Sequence, residues 1–359
     1  MPSMDEMARV VIGGVDTHAD THEGAALDDQ GRLLGVRSFA TTQRGYRQLL
    51  KWLRGFGFVQ AVGIEGSGSY GAGLTRYLRA ARVHVIEINR PHAHTRARRG
   101  KNDAIDAEAA ARKVLAGECA SIPKDTTGVV EAIRQLHLAR ASAVTARARA
   151  LNQLGELLVT APAGVRESLT ARTLLGKARQ AARWRPDLAR LADPTSAARI
   201  ALHSIARRIQ ALSEEIDTLY AQLRRLLTAA APRTLGLPGI GVINATRMLT
   251  AAGQNIDRFG SEAAFAHLCG VAPIPASSGK TQRHRLNYGG NRDANSALHM
   301  AVVVRLRRSP RTRDYVTRRT SEGKSKKEII RCLKRYVVRE IYYTLRSDLR
   351  DLELGSIGG

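Results

Sequence analysis

The sequence predicts an α/β domain at the N-terminus, followed by a central helical coiled coil and a mostly α-helical C-terminal domain. Within the first 120 residues, short apolar runs alternate with helical segments. From Leu202 to Leu226, apolar side chains recur alternately three and four residues apart. After residue 232 the chain becomes rich in helix–turn patterns and basic side chains. We therefore expect domains at 1–125, 126–231 and 232–359.

The N-terminal region shows the order of an RNase H-like fold. Strands are predicted at 10–16, 23–28, 32–39, 61–65 and 83–88, and helices at 44–55, 70–81 and about 103–117. The first three strands are separated by turn residues, so they form a meander. The remaining elements alternate helix with strand, which predicts that the later strands join the same sheet.

Two long helices are expected in the middle of the chain. The first covers 128–160, and the second carries the heptad pattern with Leu202, Ile205, Ile209, Leu212, Ile216, Leu219, Leu223 and Leu226. Its partner is either the 128–160 helix in an antiparallel hairpin or a second copy of the chain, because periodicity alone does not choose between them. The intervening segment 161–200 contains three prolines and predicts short or irregular helices.

The C-terminal region predicts contacts with a polyanion. LPGIG at 237–241 resembles the turn of a helix-hairpin-helix element, whose backbone N–H groups would meet a phosphate; the alternative is a turn used only for packing. Residues 280–350 contain 20 Lys/Arg and 6 Asp/Glu. A solvated charged helix is the usual explanation for such a run, but this one-sided excess favours a nucleic-acid surface.

Composition supports a cytoplasmic protein that binds nucleic acid. The formal net charge is +25 and the pI is near 11, which favours a partner rich in phosphates. No apolar run approaches the ~20 residues that span a bilayer, and the acidic N-terminus does not resemble a signal peptide. The three cysteines are far apart in sequence, so neither a disulfide framework nor a zinc site is indicated.

Four acidic residues end or begin the predicted elements of the first domain. Asp16 ends the first strand and Glu65 the fourth, while Asp103 and Asp106 begin a helix three residues apart and therefore on one face. The first and fourth strands are neighbours in an RNase H-like sheet, and the last helix crosses them. The four carboxylates can thus converge on a pair of divalent cations, for which Mg²⁺ is the natural choice. For Asp103 alone, a helix cap is the competing explanation.

GSGSYG at 66–71 matches the glycine pattern of a dinucleotide-binding turn, and Glu87 lies about twenty residues further on. The strands that precede it, the adjacent Glu65 and the large positive charge disfavour a dehydrogenase, so no cofactor site is predicted here.

Basic side chains cluster in the loop after the fifth strand. His92 and His94 lie in a stretch with five Lys/Arg and no acid, which indicates contact with a nucleic-acid backbone instead of a metal site. The candidate phosphate ligands are Arg96, Arg98, Arg99 and Lys101. His18 and His22 are four residues apart, but in a strand–turn context this spacing does not place them on one face.

PASSGKTQRHR at 275–285 is a second candidate phosphate site. A P-loop is excluded, because the position that needs its first glycine holds Ile274. Ser278 is therefore either a turn residue or a nucleophile, and local sequence alone favours the turn.

Five segments resemble, in order, the signatures of the insertion sequence 110 family of DEDD transposases, which is related to the Piv-type invertases. They are GVDTHADTHEGAALDD, VGIEGSGSYGAGLTRYLRAA, RRGKNDAIDAEAAARKVLAG, LPGIGVINATRMLTAAG and FAHLCGVAPIPASSGKTQRHRLNYGGNRDANSALH. The departures are minor: Ala19 stands where a lysine is frequent.

The resemblance implies a RuvC-like domain, a coiled-coil connection and a C-terminal transposase domain. It implies that Asp16, Glu65, Asp103 and Asp106 bind metal and that Ser278 joins covalently to DNA, with Ser277 as the rival one residue away. It also implies donor and target DNA, a structured bridge RNA as guide, and dimers that assemble into tetramers. The expected phosphate ligands near the serine are Lys280, Arg283, Arg285 and Arg292.

Two other functions stay open from the residues. A RuvC-like nuclease or Holliday-junction resolvase would need the carboxylates but not the serine, and an architectural protein would use the acids only as helix caps. A serine hydroxyl is a weak nucleophile that needs a base or a metal. This region offers no Ser-His-Asp arrangement, so the transposase hypothesis requires both halves of the site.

Overall fold

The computed structural model describes residues 9–88, 103–118, 121–276 and 284–357. The chain forms two compact units: one comprises Met1–Gly128 with Ala252–Ser261, and the other comprises Val129–Ala251 with Glu262–Gly359. The N-terminal unit is α/β and the second is mainly helical. The division into three domains stays a prediction.

A five-stranded sheet forms the centre of the first unit. Its strands are β1 (Val10–Thr17), β2 (Thr21–Asp28), β3 (Leu33–Ala40), β4 (Phe58–Glu65) and β5 (His84–Ile88). The spatial order is β3-β2-β1-β4-β5, with β1, β2 and β3 antiparallel and with β4 and β5 parallel to β1. This mixed sheet is compatible with an RNase H-like fold, and the predicted first and fourth strands are indeed neighbours.

Helices cover both faces of this sheet. They are α1 (Gln43–Arg54), α2 (Ala72–Ala80) and α3 (Asp103–Leu115). In α1, the Thr42 side chain caps the first turn by accepting from the Gly45 N–H, and Leu49, Leu50 and Leu53 turn inward. One core cluster joins α1 and α2 to the sheet, and a second joins α3 to the opposite face.

The second unit is built from helices and one short hairpin. The helices are α4 (Gly128–Thr160, whose first residue falls in the first unit), α5 (Ala163–Glu167), α6 (Leu174–Ala181), α7 (Pro194–Ala230), α8 (Pro232–Leu235), α9 (Val242–Ala252, whose last residue falls in the first unit), α10 (Glu262–Leu268), α11 (Arg292–Arg308), α12 (Pro310–Ser321) and α13 (Lys326–Ile357). The strands β6 (Ile274–Pro275) and β7 (His284–Arg285) pair antiparallel. Up to residue 193, the predicted connection 161–200 holds only short helices, but the long helix α7 already begins at Pro194, because a proline is accommodated in the first turn of a helix.

The long helices α4 and α7 run antiparallel within the chain. Three side-chain pairs show this: Arg208–Gln153 (Nη2 to Oε1, 2.9 Å), Arg147–Ser213 (Nη1 to Oγ, 3.4 Å) and Arg140–Tyr220 (guanidinium carbon 5.6 Å from the ring centre). In each pair the two residue numbers sum to about 360, so the register is constant along the contact. The buried side chains of α7 include Leu202, Ile209, Ile216 and Leu223, which are seven residues apart. Contact of α7 with a second chain stays a prediction.

Among the described residues, no helix combines the length and the apolar character that crossing a bilayer requires.

Candidate active site

The alternation of β1 places Asp16 beneath α3. Ile12 belongs to the α3-side core, whereas Val11 and Val15 belong to the opposite one. Gly14 also faces α3, because a Cβ there would lie 2.8 Å from the Cβ of Ala111. Successive side chains of a strand alternate between faces, so Asp16 projects toward α3 as well.

A β-bulge in β4 brings Glu65 to the same face. Val11 pairs with Val59 but Ile12 pairs with Ala61, so Gln60 is the extra residue. If Gln60 instead paired with Ile12 in regular alternation, every later side chain of β4 would lie on the opposite face relative to β1. With the bulge, Glu65 shares the face of Asp16.

Glycines let α3 lie directly on these two strands. Any Cβ on Gly14 would clash with the backbone of Ala107, and one on Gly63 would lie 2.6 Å from Val114 Cγ2. The helix therefore crosses β1 and β4 at close range. Its first turn, which carries Asp103 and Asp106, extends toward the end of β1.

Three potential metal ligands meet at this point. Ligand atoms of Asp16, His18 and Asp103 all lie within 4.8 Å of one another. The imidazole of His18 lies between the two carboxylates, with Nδ1 3.8 Å from Asp16 Oδ2 and Nε2 3.8 Å from Asp103 Oδ1. Asp16 is the most enclosed, with 13% of its side chain exposed, against 39% for His18 and 45% for Asp103.

The local electrostatics suit a cation. Burial raises the pKa of Asp16, and the negative charges of Asp106 and Asp103 raise it further, against the opposing effects of His18 and a hydrogen bond from the Thr17 backbone. A carboxylate whose pKa is raised by burial and by neighbouring negative charge is stabilised in its ionised form when a cation binds beside it. Oxygen donors from carboxylates are ligands that divalent cations prefer, so the residues present fit such an ion.

The ends of β1 and β4 are tied together beside this cluster. The Thr17 hydroxyl donates to the backbone carbonyl of Glu65 at 2.7 Å, and Glu65 itself is only 8% exposed. His18 thus lies between Asp16 and Asp103, and Asp106 is close enough to raise the pKa of Asp16. Glu65 is the last residue of the neighbouring strand β4.

Two residues near the cluster were not among the predicted ligands. His18 follows directly after β1, two positions beyond Asp16, and this Asp-x-His spacing at a strand end is the signal for it. Glu23 pairs directly with Asp16 across the β1–β2 ladder, which only the hairpin register reveals. By contrast, His22 is buried on the other face and stacks on Tyr46 at 5.7 Å, so it does not join His18, as predicted.

The glycines of GSGSYG have a local structural role. Gly66 has φ +71°, which favours glycine, and its carbonyl accepts from the Gly71 N–H at 3.1 Å. A Cβ on Gly71 would lie 2.9 Å from Ile64 Cγ2. These glycines therefore allow a tight turn in which the start of α2 packs directly against the end of β4.

Part of the predicted site lies outside the described residues. This holds for Ser277, Ser278, Lys280 and Arg283, and also for Arg96, Arg98, Arg99 and Lys101. Arg285 in β7 and Arg292 at the start of α11 are both exposed. The serine segment is bounded by the β6–β7 ladder, in which Ile274 pairs with Arg285 and Pro275 with His284.

Three asparagines fix the base of this hairpin, and we call them the asparagine clamp: Asn287, Asn291 and Asn295. Asn287 Nδ2 donates to the His267 carbonyl at 2.9 Å, and the backbone N–H of Asn291 donates to the Leu268 carbonyl at 2.6 Å. Asn295 Nδ2 donates to the carbonyls of Cys269 and Gly270 at 3.0 and 3.1 Å. Lys334 in turn donates to the amide oxygen of Asn295. The two strands of the hairpin are thus joined where they leave the helices.

Comparisons with known proteins agree with these motifs. A family model described as Transposase matches residues 13–161, and one described as Transposase IS116/IS110/IS902 family matches residues 231–317. Together they cover about two thirds of the chain. The first range contains the four predicted acids, and the second contains both candidate serines.

Curated relatives come from mobile and invertible DNA. The chain is 29% identical over 150 residues to an uncharacterized 43.6 kDa protein of insertion element IS110 from Streptomyces coelicolor, covering 41% of this chain and 37% of that protein. It is 29% identical over 194 residues to an uncharacterized 42 kDa protein of insertion element IS900 from Mycobacterium paratuberculosis, covering 48% of each. The pilin gene-inverting protein of Moraxella bovis is 31% identical over 115 residues, covering 31% of this chain and 35% of that protein. The matched segments cover less than half of each relative.

Proposed function

Because this chain belongs to the insertion sequence 110 family of transposases, we propose that it is a DNA recombinase that cleaves and rejoins the strands of an insertion sequence. The observation that carries the proposal is the meeting of Asp16 and Asp103 on either side of His18 at the end of β1. The relative named as a pilin gene-inverting protein supports strand exchange as the type of reaction.

The acid cluster is proposed to hold divalent metal, with Mg²⁺ as the physiological ion. Asp16, Glu65, Asp103 and Asp106 are the proposed ligands, and His18 is an additional donor. When bound, such ions stabilise charge on the attacking and leaving oxygens of phosphoryl transfer, and two of them are typical of this chemistry. The burial of Asp16 and the tie between Thr17 and Glu65 hold the strand-end acids in place for that task.

Ser278 is the proposed nucleophile, and Ser277 is the alternative. Its Oγ attacks a backbone phosphorus and forms a serine–phosphate ester, while the bond from phosphorus to one deoxyribose oxygen breaks and that oxygen leaves as a hydroxyl with a proton. Attack by the freed or incoming hydroxyl reverses the step and releases the serine. The proposed ligands of the flanking phosphates are basic residues that follow the serine in the sequence: Lys280, Arg283 and the exposed Arg285 and Arg292.

Further features of the family complete the proposal. The first domain is RuvC-like with an RNase H-like fold, α4 and α7 act as a coiled coil, and the 237–241 turn serves as a helix-hairpin-helix phosphate contact. The partners are donor and target DNA, a structured bridge RNA, and further copies of the chain in dimers and tetramers. The protein would act in the bacterial cytoplasm, on the nucleoid.

A metal-dependent nuclease or junction resolvase is the second candidate. It is favoured by one observation: the described acid cluster brings three possible metal ligands together without any contribution from a serine. Such an enzyme would hydrolyse DNA and leave no protein attached to it.

The test is formation of a covalent protein–DNA adduct. The purified chain is incubated with donor and target DNA, the RNA of its element and Mg²⁺, and DNA-linked protein is separated on denaturing gels. We expect the adduct from the wild type and from Ser277→Ala, and none from Ser278→Ala, Asp16→Asn or Glu65→Gln, with nucleic-acid binding retained in all.

The outcomes separate the candidates. Full recombination by Ser278→Ala without any adduct would contradict serine chemistry, and undiminished DNA hydrolysis by that variant without an adduct would favour the nuclease. Loss in Ser277→Ala instead of Ser278→Ala would move the nucleophile by one residue. Undiminished activity of both Asp16→Asn and Glu65→Gln would overturn either enzymatic function.

A further inference from the structure

A cavity of about 800 Å³ opens between α11, α12 and α13 in the helical unit. Its apolar wall comes from Val302, Leu333 and Val337, all of which are buried. Sites for small organic ligands typically measure about 300–1,000 Å³ and combine apolar walls with a few polar groups. The cavity thus has the size and lining of a ligand site, and none of the acid-cluster residues line it.

Two tyrosines line this cavity and pack edge to face. The ring centres of Tyr315 and Tyr336 lie 5.8 Å apart with an interplanar angle of 84°. Tyr336 is 52% exposed, although it borders the buried Val337. An exposed aromatic ring beside an apolar wall gives a planar ring a surface on which to stack, and every nucleobase has such a face.

The innermost cation of the cavity is already neutralised. Arg305 forms an ion pair with Glu340 (Nη2 to Oε2, 2.7 Å), and its Nε donates to the Pro238 carbonyl at 2.8 Å. This pairing fixes one wall of the cavity. The charge available to a ligand therefore comes from the rim.

Arginines of α12 supply that charge. Arg311 is exposed, and Arg318 lies with its guanidinium carbon 5.4 Å from the ring centre of Tyr315. The Nε atom of Arg318 lies 3.9 Å from Oε1 of Glu322, which is a long contact for an ion pair. Asp314 adds a negative charge to the same rim. Even so, residues 310–340 contain 11 Lys/Arg and 4 Asp/Glu, so the surroundings attract an anion.

We propose that this cavity binds one unstacked nucleotide of a nucleic-acid strand, with its base against Tyr336 and the strand's phosphates at Arg311 and Arg318. The two arginines are seven residues apart on one helix, or about 10 Å, which suits separate phosphates of a strand better than the single phosphate group of a free nucleotide. The inference rests on the proposed function only for its partner, nucleic acid, and it is tested without any cleavage.

The experiment compares binding of the full-length chain to a duplex with one unpaired base and to the same duplex fully paired. Fluorescence anisotropy gives both affinities for the wild type and for Tyr336→Ala, Tyr336→Phe and Tyr343→Ala. Tyr343 is the matched control, because it is 56% exposed on the same helix, two turns from Tyr336 and outside the cavity. Melting curves verify that each variant is folded.

We expect the wild type and Tyr336→Phe to prefer the duplex with the unpaired base. Tyr336→Ala should lose about tenfold in affinity for it, the scale of one base–aromatic stack, and little for the paired duplex. Tyr343→Ala should behave as the wild type. With 5-iodouracil at the unpaired position, ultraviolet cross-linking followed by mass spectrometry should identify Tyr336 or Tyr315.

Equal affinity for the two duplexes, or equal losses in Tyr336→Ala and Tyr343→Ala, would overturn the proposed site while leaving the recombinase intact. Competition by free nucleoside monophosphate at the concentration that an oligonucleotide requires would overturn the assignment to a strand. If the chain bound neither duplex, both this inference and the proposed nucleic-acid partner would fail. Absence of Ser278-dependent adducts alone would contradict the proposed serine chemistry and would leave the nucleotide site unaffected.

Discussion

Gly14→Ala should move Asp103 and Asp106, which α3 carries, away from Asp16 on β1. The added Cβ would lie 2.8 Å from the Cβ of Ala111 and closer still to backbone atoms of Ala107 and Ala111. Ordinary contact begins at 3.4 Å, so α3 must retreat by at least 0.6 Å, and further to clear its own backbone. Because Asp103 and Asp106 belong to the first turn of α3, they move away from Asp16 with it.

The cost has two parts with different readouts. Overpacking of a close-packed contact destabilises by about 1–3 kcal/mol, which urea unfolding measures. Displacement of reacting groups by about 1 Å lowers a rate by about a hundredfold. We therefore expect the rate of Mg²⁺-dependent adduct formation to fall by about 10- to 100-fold, at a protein concentration and temperature where the variant is fully folded.

Gly13→Ala is the matched control. It adds the same methyl group to the neighbouring residue on the opposite face, where the nearest atoms are side-chain ends of Val62 at 3.0 Å and Leu53 at 3.1 Å. These side chains adjust without moving α3, so catalysis should be nearly unchanged. A fully active Gly14→Ala, or an equal loss of rate in Gly13→Ala, would refute the account of how the acids are positioned.

Two further predictions concern the clamp and the first sheet. Asn295→Asp replaces the donor to the Cys269 and Gly270 carbonyls with a carboxylate oxygen, so we expect a loss of about 1–3 kcal/mol in unfolding free energy and slower adduct formation at unchanged DNA affinity. Asn244→Asp, whose Nδ2 reaches the Gly239 carbonyl only at 3.5 Å, is the control, and equal effects of both changes would contradict the clamp. Burial raises the pKa of Asp28, but the backbone and side-chain hydrogen bonds and the charge of Arg32 outweigh it and hold that pKa below the usual 3.8. Its contribution to stability is therefore complete above pH 3.8 and is lost as pH falls through the lower folded pKa, so Asp28→Asn should flatten that part of the acid-unfolding profile measured by circular dichroism. Identical profiles for the two proteins would show that Asp28 does not couple to folding.

Local patterns were sufficient for most elements of the first unit. Turn residues and apolar alternation predicted β1, β2 and β3, and the structure confirms them to within two residues. The strand predicted at 61–65 starts at Phe58 instead, because the polar bulge residue Gln60 interrupts the apolar run on which the prediction depended. The irregularity that shortened the prediction is the one that brings Glu65 to the face of Asp16.

Contacts distant in sequence could not be predicted in the same way. The heptad pattern of α7 predicted a helical partner but not which one, because either a helix of the same chain or another copy would bury Ile209 and Ile216 equally well. The hydrogen bond from Lys334 to Asn295 joins residues 39 positions apart, and no local pattern encodes it. His18 was detectable, since it follows Asp16 at the spacing that shares a strand face.

The constant register of α4 and α7 limits how the length of this helical pair can change. A deletion in one helix alone would shift the register of every contact beyond it. Removal of seven residues from each helix keeps the buried heptad positions facing inward and shortens the helical pair by about 10 Å. Single-residue insertions in either helix would rotate the apolar stripe by about 100°. Natural variation in this segment is thus expected in steps of whole heptads, matched between the two helices. The distance spanned by the pair would then change in discrete increments of about 10 Å, so evolution or design could set it without altering either end.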